Sequence, residues 1–556
     1  MRQPSTHLSS SSNTPAKWAI MSLTEKPTGG SHPSKIPRWR IIFDPGCVTQ
    51  SVIDHEYNGS GTEENPYQVS WIENDPRNPM LFSPLSRWLI TILVGIETLS
   101  VALVSSAYSG SIEEIIAEFQ VSEEVALLGI SLFVLGFAVG PLLWAPVSEL
   151  YGRRYVLIAS ATGLVAFTAA TTGSKNIWTL IILRFFGGCF GSAPFAVSGA
   201  VIADTFPSII RGLASGLYCA APFLGPNLGP IVGGFLSEVA GWRWVEGLVA
   251  CFSALFALVC LFALPETYAP VLLNKRAARL SSITGHVYRS KIEIEQGVKH
   301  PATVFKIAIC RPWILLFREP IVLLLSIYLA IIYGILYLFF AAMPIVFGKE
   351  RGWSEGMTGL SFLGILVGIL LSGVATFPMY YRYRRRALST VGRVPPEARL
   401  LDTFIGAILL PLGLFWFAWT NSPSIHWMVP IAAGVPFGYG MITVFLPILN
   451  YLIDAYTIYA ASVLAANASL RSTFGAAFPL FTTQMYKNLG IHWASSVPAF
   501  LALLCVPLPF LFYRYGAGIR KRCHYAAESD AVMERLYGKP AVPNSSPKPG
   551  STDSSD

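Results

Sequence analysis

Twelve apolar segments, each long enough to cross a bilayer, recur along the chain, from Trp88–Ser109 to Trp493–Tyr513. A hydrocarbon layer about 30 Å thick takes roughly 20 helical residues. Within it every backbone amide must bond inside its own segment or inside a closed barrel. Segments this long and this poor in charge do not fit the roughly ten-residue alternating strands of a barrel, so helices are expected. Hydrophobic residues make up 53% of the 556 and charged residues 13%, about half the charged share of a soluble domain. That balance excludes a disordered chain and argues against a soluble enzyme.

The segments divide into six and six. The expected fold is therefore an all-α integral membrane protein of twelve transmembrane helices in two six-helix bundles, 86–264 and 321–515. A polar linker, 265–320, separates them, and tails 1–85 and 516–556 are expected to be cytosolic, the first of them disordered with an ordered start near Asn65. The linker is expected to lie on the membrane surface as amphipathic helix. Arg153, Arg154, Arg211, the linker's basic residues, Arg382 and Arg384 to Arg386 fall on one side. The loop after the first segment carries Glu113, Glu114, Glu118, Glu123 and Glu124 and no basic residue. Positive charge favours the cytosolic side, which places the linker and both termini there, with the plasma membrane as the expected location and the vacuole as the alternative. The net charge of +8 then suits anionic lipid headgroups rather than nucleic acid.

Charges within the spans are expensive, on the order of 2.5–3.5 kcal/mol each on insertion scales. Glu97, Arg184 and Arg471 are such charges, with Asn467 one turn before Arg471. Glu97 can be read as a proton carrier or as the static partner of Arg184 or of a polar neighbour. Tyr328, Tyr333 and Tyr337 crowd the seventh segment. With Asn467 and Arg471 they are expected to line a central cavity whose aromatic walls suit flat or cationic amphipathic molecules. Gly225, Gly229 and Gly233 recur every four residues beside Pro222, Pro226 and Pro230. Such a helix allows close approach and bends, as a rocking interface requires.

Catalytic and metal signatures are missing. The eight cysteines have no metal or redox spacing, and no phosphate-binding Gly-x-x-x-x-Gly-Lys-Ser/Thr loop occurs. The expectation is no enzyme, no metal and no cofactor.

Three stretches carry a family resemblance. Gly140-Pro-Leu-Leu-Trp-Ala-Pro-Val-Ser-Glu-Leu-Tyr-Gly-Arg-Arg154 resembles the loop 2–3 signature of the major facilitator superfamily, through Glu149, Gly152, Arg153 and Arg154. Arg184-Phe-Phe-Gly-Gly-Cys-Phe-Gly191 is similar to its fourth-helix motif. Gly225-Pro-Asn-Leu-Gly-Pro-Ile-Val-Gly-Gly234 resembles its fifth-helix antiporter motif. Asp75-Pro-Arg-Asn-Pro79, Asp204-Thr-Phe-Pro207, Trp242-Arg-Trp244 and Pro265-Glu-Thr-Tyr268 look like the fungal twelve-span drug:proton antiporters. The resemblance implies a proton-coupled exporter of a small hydrophobic or cationic compound, working as a monomer by alternating access. A polyamine or nutrient transporter of the same fold, or a transporter-like sensor, is the alternative. It further implies a cytosolic latch between the bundles made by Glu149, Arg153, Arg154, Asp204 and Arg211, proton coupling through Arg184 and Asp204, and an antiporter helix carried by Gly225, Pro226, Gly229, Pro230, Gly233 and Gly234.

Overall fold

In the computed structural model, residues 36–297, 300–389 and 394–537 are described; the expectations for 1–35 and 538–556 lie outside them. Eleven helical stretches are long and apolar enough to span a membrane. The last, Thr457–Arg522, is two spans. At Gly490 the backbone leaves the helix with φ 71° and ψ 168°, and the Tyr486 and Ser495 hydroxyls lie 2.7 Å apart. Nine residues of straight helix would separate them by about 13 Å, so the chain doubles back and twelve spans result.

These are α1 (Pro84–Ala107), α2 (Glu123–Tyr151), α3 (Arg153–Thr172), α4 (Ile177–Thr205), α5 (Ile210–Ala240) and α6 (Trp242–Ala263), then α7 (Pro320–Met343), α8 (Glu355–Arg386), α9 (Thr403–Thr420) and α10 (Met428–Ala455), and last α11 (460–489) and α12 (491–522). In the first half α1 packs on α5 and α2 on α4; in the second α7 packs on α11 and α9 on α10. The outer ring is apolar. Ile405, Ile408 and Leu412, at helical spacing on α9, are each more than half exposed, whereas Ser100, Ser105, Ser106 and Thr98 of α1 are buried. This inverted distribution is stable only where hydrocarbon is the solvent.

The ends of the spans define two faces. The linker face carries the α2–α3 and α10–α11 turns and residues 265–319; the distal face carries the α1–α2, α7–α8 and α11–α12 turns.

The expectation of a disordered 1–85, with an ordered start near Asn65, needs correction for 36–64. Helices Arg38–Phe43 and Gln50–Ile53 form there, and β1 (Tyr67–Val69) pairs in parallel with β2 (Tyr288–Ser290) from the linker. Val52 and Val69 share a small core with Leu273, Ala277 and Leu280 of the linker helix Ala269–Thr284. Asp75 forms a buried ion pair with Arg276. Thus one of the linker's basic residues, read from sequence as facing headgroups, is a structural counterion. On the C-terminal side the last span ends later than the sequence places it. The helix Pro507–Arg522 runs past Gly516, and a further helix, His524–Tyr537, follows it.

Candidate transport site

The two bundles meet at several levels, with a cavity of about 250 Å³ left between them near the distal face. Near the middle, Phe223 of α5 meets Phe445 of α10 edge-on at 4.8 Å, and Ser105 of α1 lies 2.9 Å from the Tyr337 hydroxyl of α7. The Tyr337 hydroxyl in turn lies 3.4 Å from that of Tyr333. Arg471 of α11 stands over the Tyr333 ring at 4.8 Å and the Phe445 ring at 5.1 Å. Asn467 is buried one turn away. The sequence expectation of open cavity walls is therefore modified: Tyr333 and Tyr337 are 2% and 0% exposed and fill the interface. Tyr328 is equally buried, but its hydroxyl has no partner among the described residues and it does not join this cluster.

Helix α5 is the bridge. A Cβ at Gly225 would stand 2.7 Å from the Leu99 carbonyl of α1, and one at Gly229 would stand 2.7 Å from the Ala107 amide. Gly233 abuts the Ala107 carbonyl. The neighbouring Gly234 looks the other way: its Cβ would lie 2.6 Å from the Glu355 carbonyl in the second bundle. Gly359 of α8 returns the contact onto the Pro230 carbonyl, and the Gly356 amide donates to Glu238 at 2.7 Å. One glycine-rich helix thus makes backbone contact with both bundles, which side chains would prevent.

Of the readings open for the intramembrane charges, the pairing of Glu97 with Arg184 is not the one seen. Arg184 pairs with Glu246 of α6, Nη1 to Oε1, at 2.5 Å. It also donates to the carbonyls of Gly129, Val104 and Ser105 and lies 4.3 Å from the Tyr108 ring. Glu97 is not its partner. Glu97 sits inside the first bundle, with the Cys260 sulfur 3.5 Å from Oε2 and Oε1 unpartnered. Beside it is a cavity of about 10 Å³ lined by Ser100, Ser160 and Ser253, a volume suited to a single water.

The expected latch residues gather on the linker face, around a carboxylate the sequence reading passed over. Glu266 accepts from the backbone amides of Arg153 (2.9 Å), Arg154 (3.2 Å), Thr267 (3.0 Å) and Tyr268 (2.9 Å). The first two are at the start of α3, where helix amides lack internal partners and a negative charge is favoured. Gly152 makes room for it: its φ is 102° and a Cβ would collide with the Glu266 carboxylate. Arg77 donates to the Glu266 carbonyl at 3.2 Å. Burial pulls the Arg77 guanidinium down to about 10, against the opposing pull of Glu266. Arg153 reaches Asp204 at 3.5 Å, Arg154 donates to the Leu261 carbonyl, and Arg211 to the carbonyls of Ala203 and Phe206. Glu149 is exposed and has no ion pair among the described residues. These partners all belong to the first bundle or the start of the linker. The second bundle has its own pairs, Arg399 with Asp454 at 2.9 Å and Arg520 with Glu397 at 2.8 Å. The two sets come together only near Arg211, where Gly212 faces Arg399.

Residues 94–479 match the family model described as Major Facilitator Superfamily. The chain belongs to the major facilitator superfamily. Within it, the chain is 58% identical over 506 residues to the "Major facilitator superfamily multidrug transporter mdrA" of Aspergillus fumigatus, covering 91% of this chain and 83% of that one. It is 60% identical over 506 residues to the "MFS-type efflux pump MFS2" of Trichophyton rubrum, covering 91% and 85%. It is 50% identical over 497 residues to the "Efflux pump FUBT" of Fusarium oxysporum, covering 89% and 84%. Among solved structures it resembles the superfamily's proton:xylose symporter XylE, with a TM-score of 0.55 at 16% identity over 78% of this chain and 96% of that one. That likeness shows the fold alone. Like its superfamily, the chain is a multi-pass membrane transporter of small molecules and not an enzyme.

Two carboxylates that organise this superfamily member were missed in sequence. Glu246 is an acid four residues inside α6, two residues past the quoted Trp242-Arg-Trp244; an intramembrane acid is itself a signal. Glu266 lies in the quoted Pro265-Glu-Thr-Tyr268 stretch, but its role depends on a turn 113 residues away.

Proposed function

We propose that this chain exports small hydrophobic organic compounds (toxins, secondary metabolites or drugs) across the plasma membrane in exchange for protons, with both termini cytosolic. The observation that carries the reading is the glycine face of α5 in backbone contact with α1 and α8 at once. Rigid bundles that rock on such a contact alternate access between two sides of one interface. The relatives' printed names supply the direction, since they are called efflux pumps and a multidrug transporter. In this reading the linker face is cytosolic and the distal face external. Glu97 and Asp204 are the acids through which protons would couple, Arg184 tunes that coupling, and the Glu266–Arg153–Asp204 cluster steadies the cytosolic gate.

The test is transport into inside-out vesicles from cells expressing the full chain, with an imposed pH gradient, acidic inside. A lipophilic dye should accumulate and be released when a protonophore collapses the gradient. Uptake that is indifferent to the gradient would overturn proton antiport, and gradient-driven loss of preloaded dye would point to import.

A further inference from the structure

Seven arginines are buried among the described residues, and six of them have an oxygen acceptor. Arg184 has Glu246, Arg276 has Asp75, Arg520 has Glu397 and Arg153 has Asp204. Arg77 and Arg154 donate to the carbonyls of Glu266 and Leu261. The seventh, Arg471, has no carboxylate and no carbonyl partner among the described residues. Its Nε is unpartnered, and so is the Nδ2 of Asn467 one turn earlier on α11. The two residues are 8% and 1% exposed. Around the guanidinium stand the rings of Tyr333 and Phe445, with Tyr218, Cys219 and Tyr337 also within electrostatic reach. Phenols and thiols are ordinarily neutral near pH 7. Aromatic faces offset part of the cost of a buried cation, but they leave its N–H donors unsatisfied. The cluster lies where the bundles meet: Ser469 donates to the Ala138 carbonyl of α2 at 2.9 Å, and Gly475 packs between Tyr333 and Val134.

We propose that, when the bundles part, Arg471 and Asn467 form the head-group pocket for an organic anion, with a carboxylate as the simplest case, whose flat apolar body lies against Tyr333 and Phe445. Two adjacent donors without an acceptor are the complement of a carboxylate, and an unpaired guanidinium repels an ammonium. The pocket therefore selects against the cationic cargo that aromatic walls alone suggest. The inference rests on the export reading only in calling the ligand cargo.

The test uses the full-length protein in nanodiscs and three probes of one shape: 2-naphthoate, neutral 2-naphthamide and cationic 2-naphthylmethylammonium. Naphthoate should bind most tightly at pH 7. Arg471→Gln should weaken it at least about tenfold, as expected on removing one partner of a buried charge pair, and Arg471→Lys should recover part of the loss. Naphthamide binding should change little in either variant. Should Arg471→Gln fail to elute as a folded monodisperse species, Asn467→Leu serves as the second variant, with a smaller loss confined to naphthoate. Tighter binding of the ammonium, or equal naphthoate binding by wild type and variants, would overturn the proposal. Proton-driven dye flux in proteoliposomes is measured in parallel. Arg471-dependent naphthoate binding without flux refutes export and leaves the pocket standing, whereas flux with Arg471-independent binding does the reverse.

Discussion

The Arg184 guanidinium and the Glu246 carboxylate lie 2.5 Å apart, joining α4 to α6 within the first bundle, and both side chains are almost fully buried. The second Glu246 oxygen accepts from Thr171 of α3 at 3.1 Å. Breaking a buried pair by removing one partner leaves an uncompensated charge, at a cost of about 3–5 kcal/mol. Glu246→Ala should therefore lower the thermal midpoint in detergent sharply. Arg184→Ala/Glu246→Ala should be less destabilised than the sum of the two single variants, because the orphaned charge is gone. Strict additivity in that cycle would show that the two side chains do not act as a pair.

Glu266 supplies the acceptor for the start of α3 that Gly152, having no side chain, cannot. Loss of a helix cap costs about 0.5–2 kcal/mol, and here four amides share the carboxylate. Glu266→Ala should destabilise by at least that amount, with Glu266→Gln retaining part of it. Gly152→Ala should be worse than either, since it adds a collision to a positive φ. Thermal unfolding of purified variants, followed by tryptophan fluorescence, ranks the three; a benign Gly152→Ala would contradict the geometry.

The contact of Gly359 with the Pro230 carbonyl holds α5 against α8 near the distal face. Gly359→Val should wedge the bundles apart there without unfolding either, since the new side chain meets the other bundle's backbone. Spin labels on Ser354→Cys and Glu238→Cys should show a longer distance distribution in the variant than in the parent. An unchanged distribution would mean that this contact does not set the closure.

Glu97 faces Cys260 and a one-water cavity rather than Arg184. Glu97→Gln keeps the shape and removes the exchangeable charge. It should insert and fold normally yet reduce gradient-driven transport about tenfold or more, in line with loss of a general proton-transfer group, while energy-independent counterflow persists. Normal gradient-driven flux in this variant would remove Glu97 from proton coupling.

Much of the fold was legible because its cause is local. A bilayer demands long runs of apolar residues with internal hydrogen bonds, and such runs are visible in any window of sequence. Even the Gly490 reversal falls between segments read as separate. The order in 36–64 was not legible: Val52 acquires meaning only beside Leu280, and the pairing of Asp75, in a stretch already singled out, only beside Arg276, partners some 200 residues away. The candidate site divides in the same way. Arg184 and Arg471 stand out in sequence as charges in apolar runs, but their surroundings make one a satisfied strut and leave the other without an acceptor. Tyr328 and Tyr333 look alike in sequence, and only the packing of α7 against α11 sends the second to the bundle interface.

Sequence by itself determined that this chain crosses a membrane twelve times in two equal halves, and through its motifs which superfamily it resembles, because hydrophobicity and spacing act over single helices. Tertiary structure decided which charges neutralise one another, which glycines touch which bundle, and where a buried cation is left unpaired. Those outcomes depend on distances of a few ångströms between helices far apart in the chain, where the energy of a charge is set by what lies beside it.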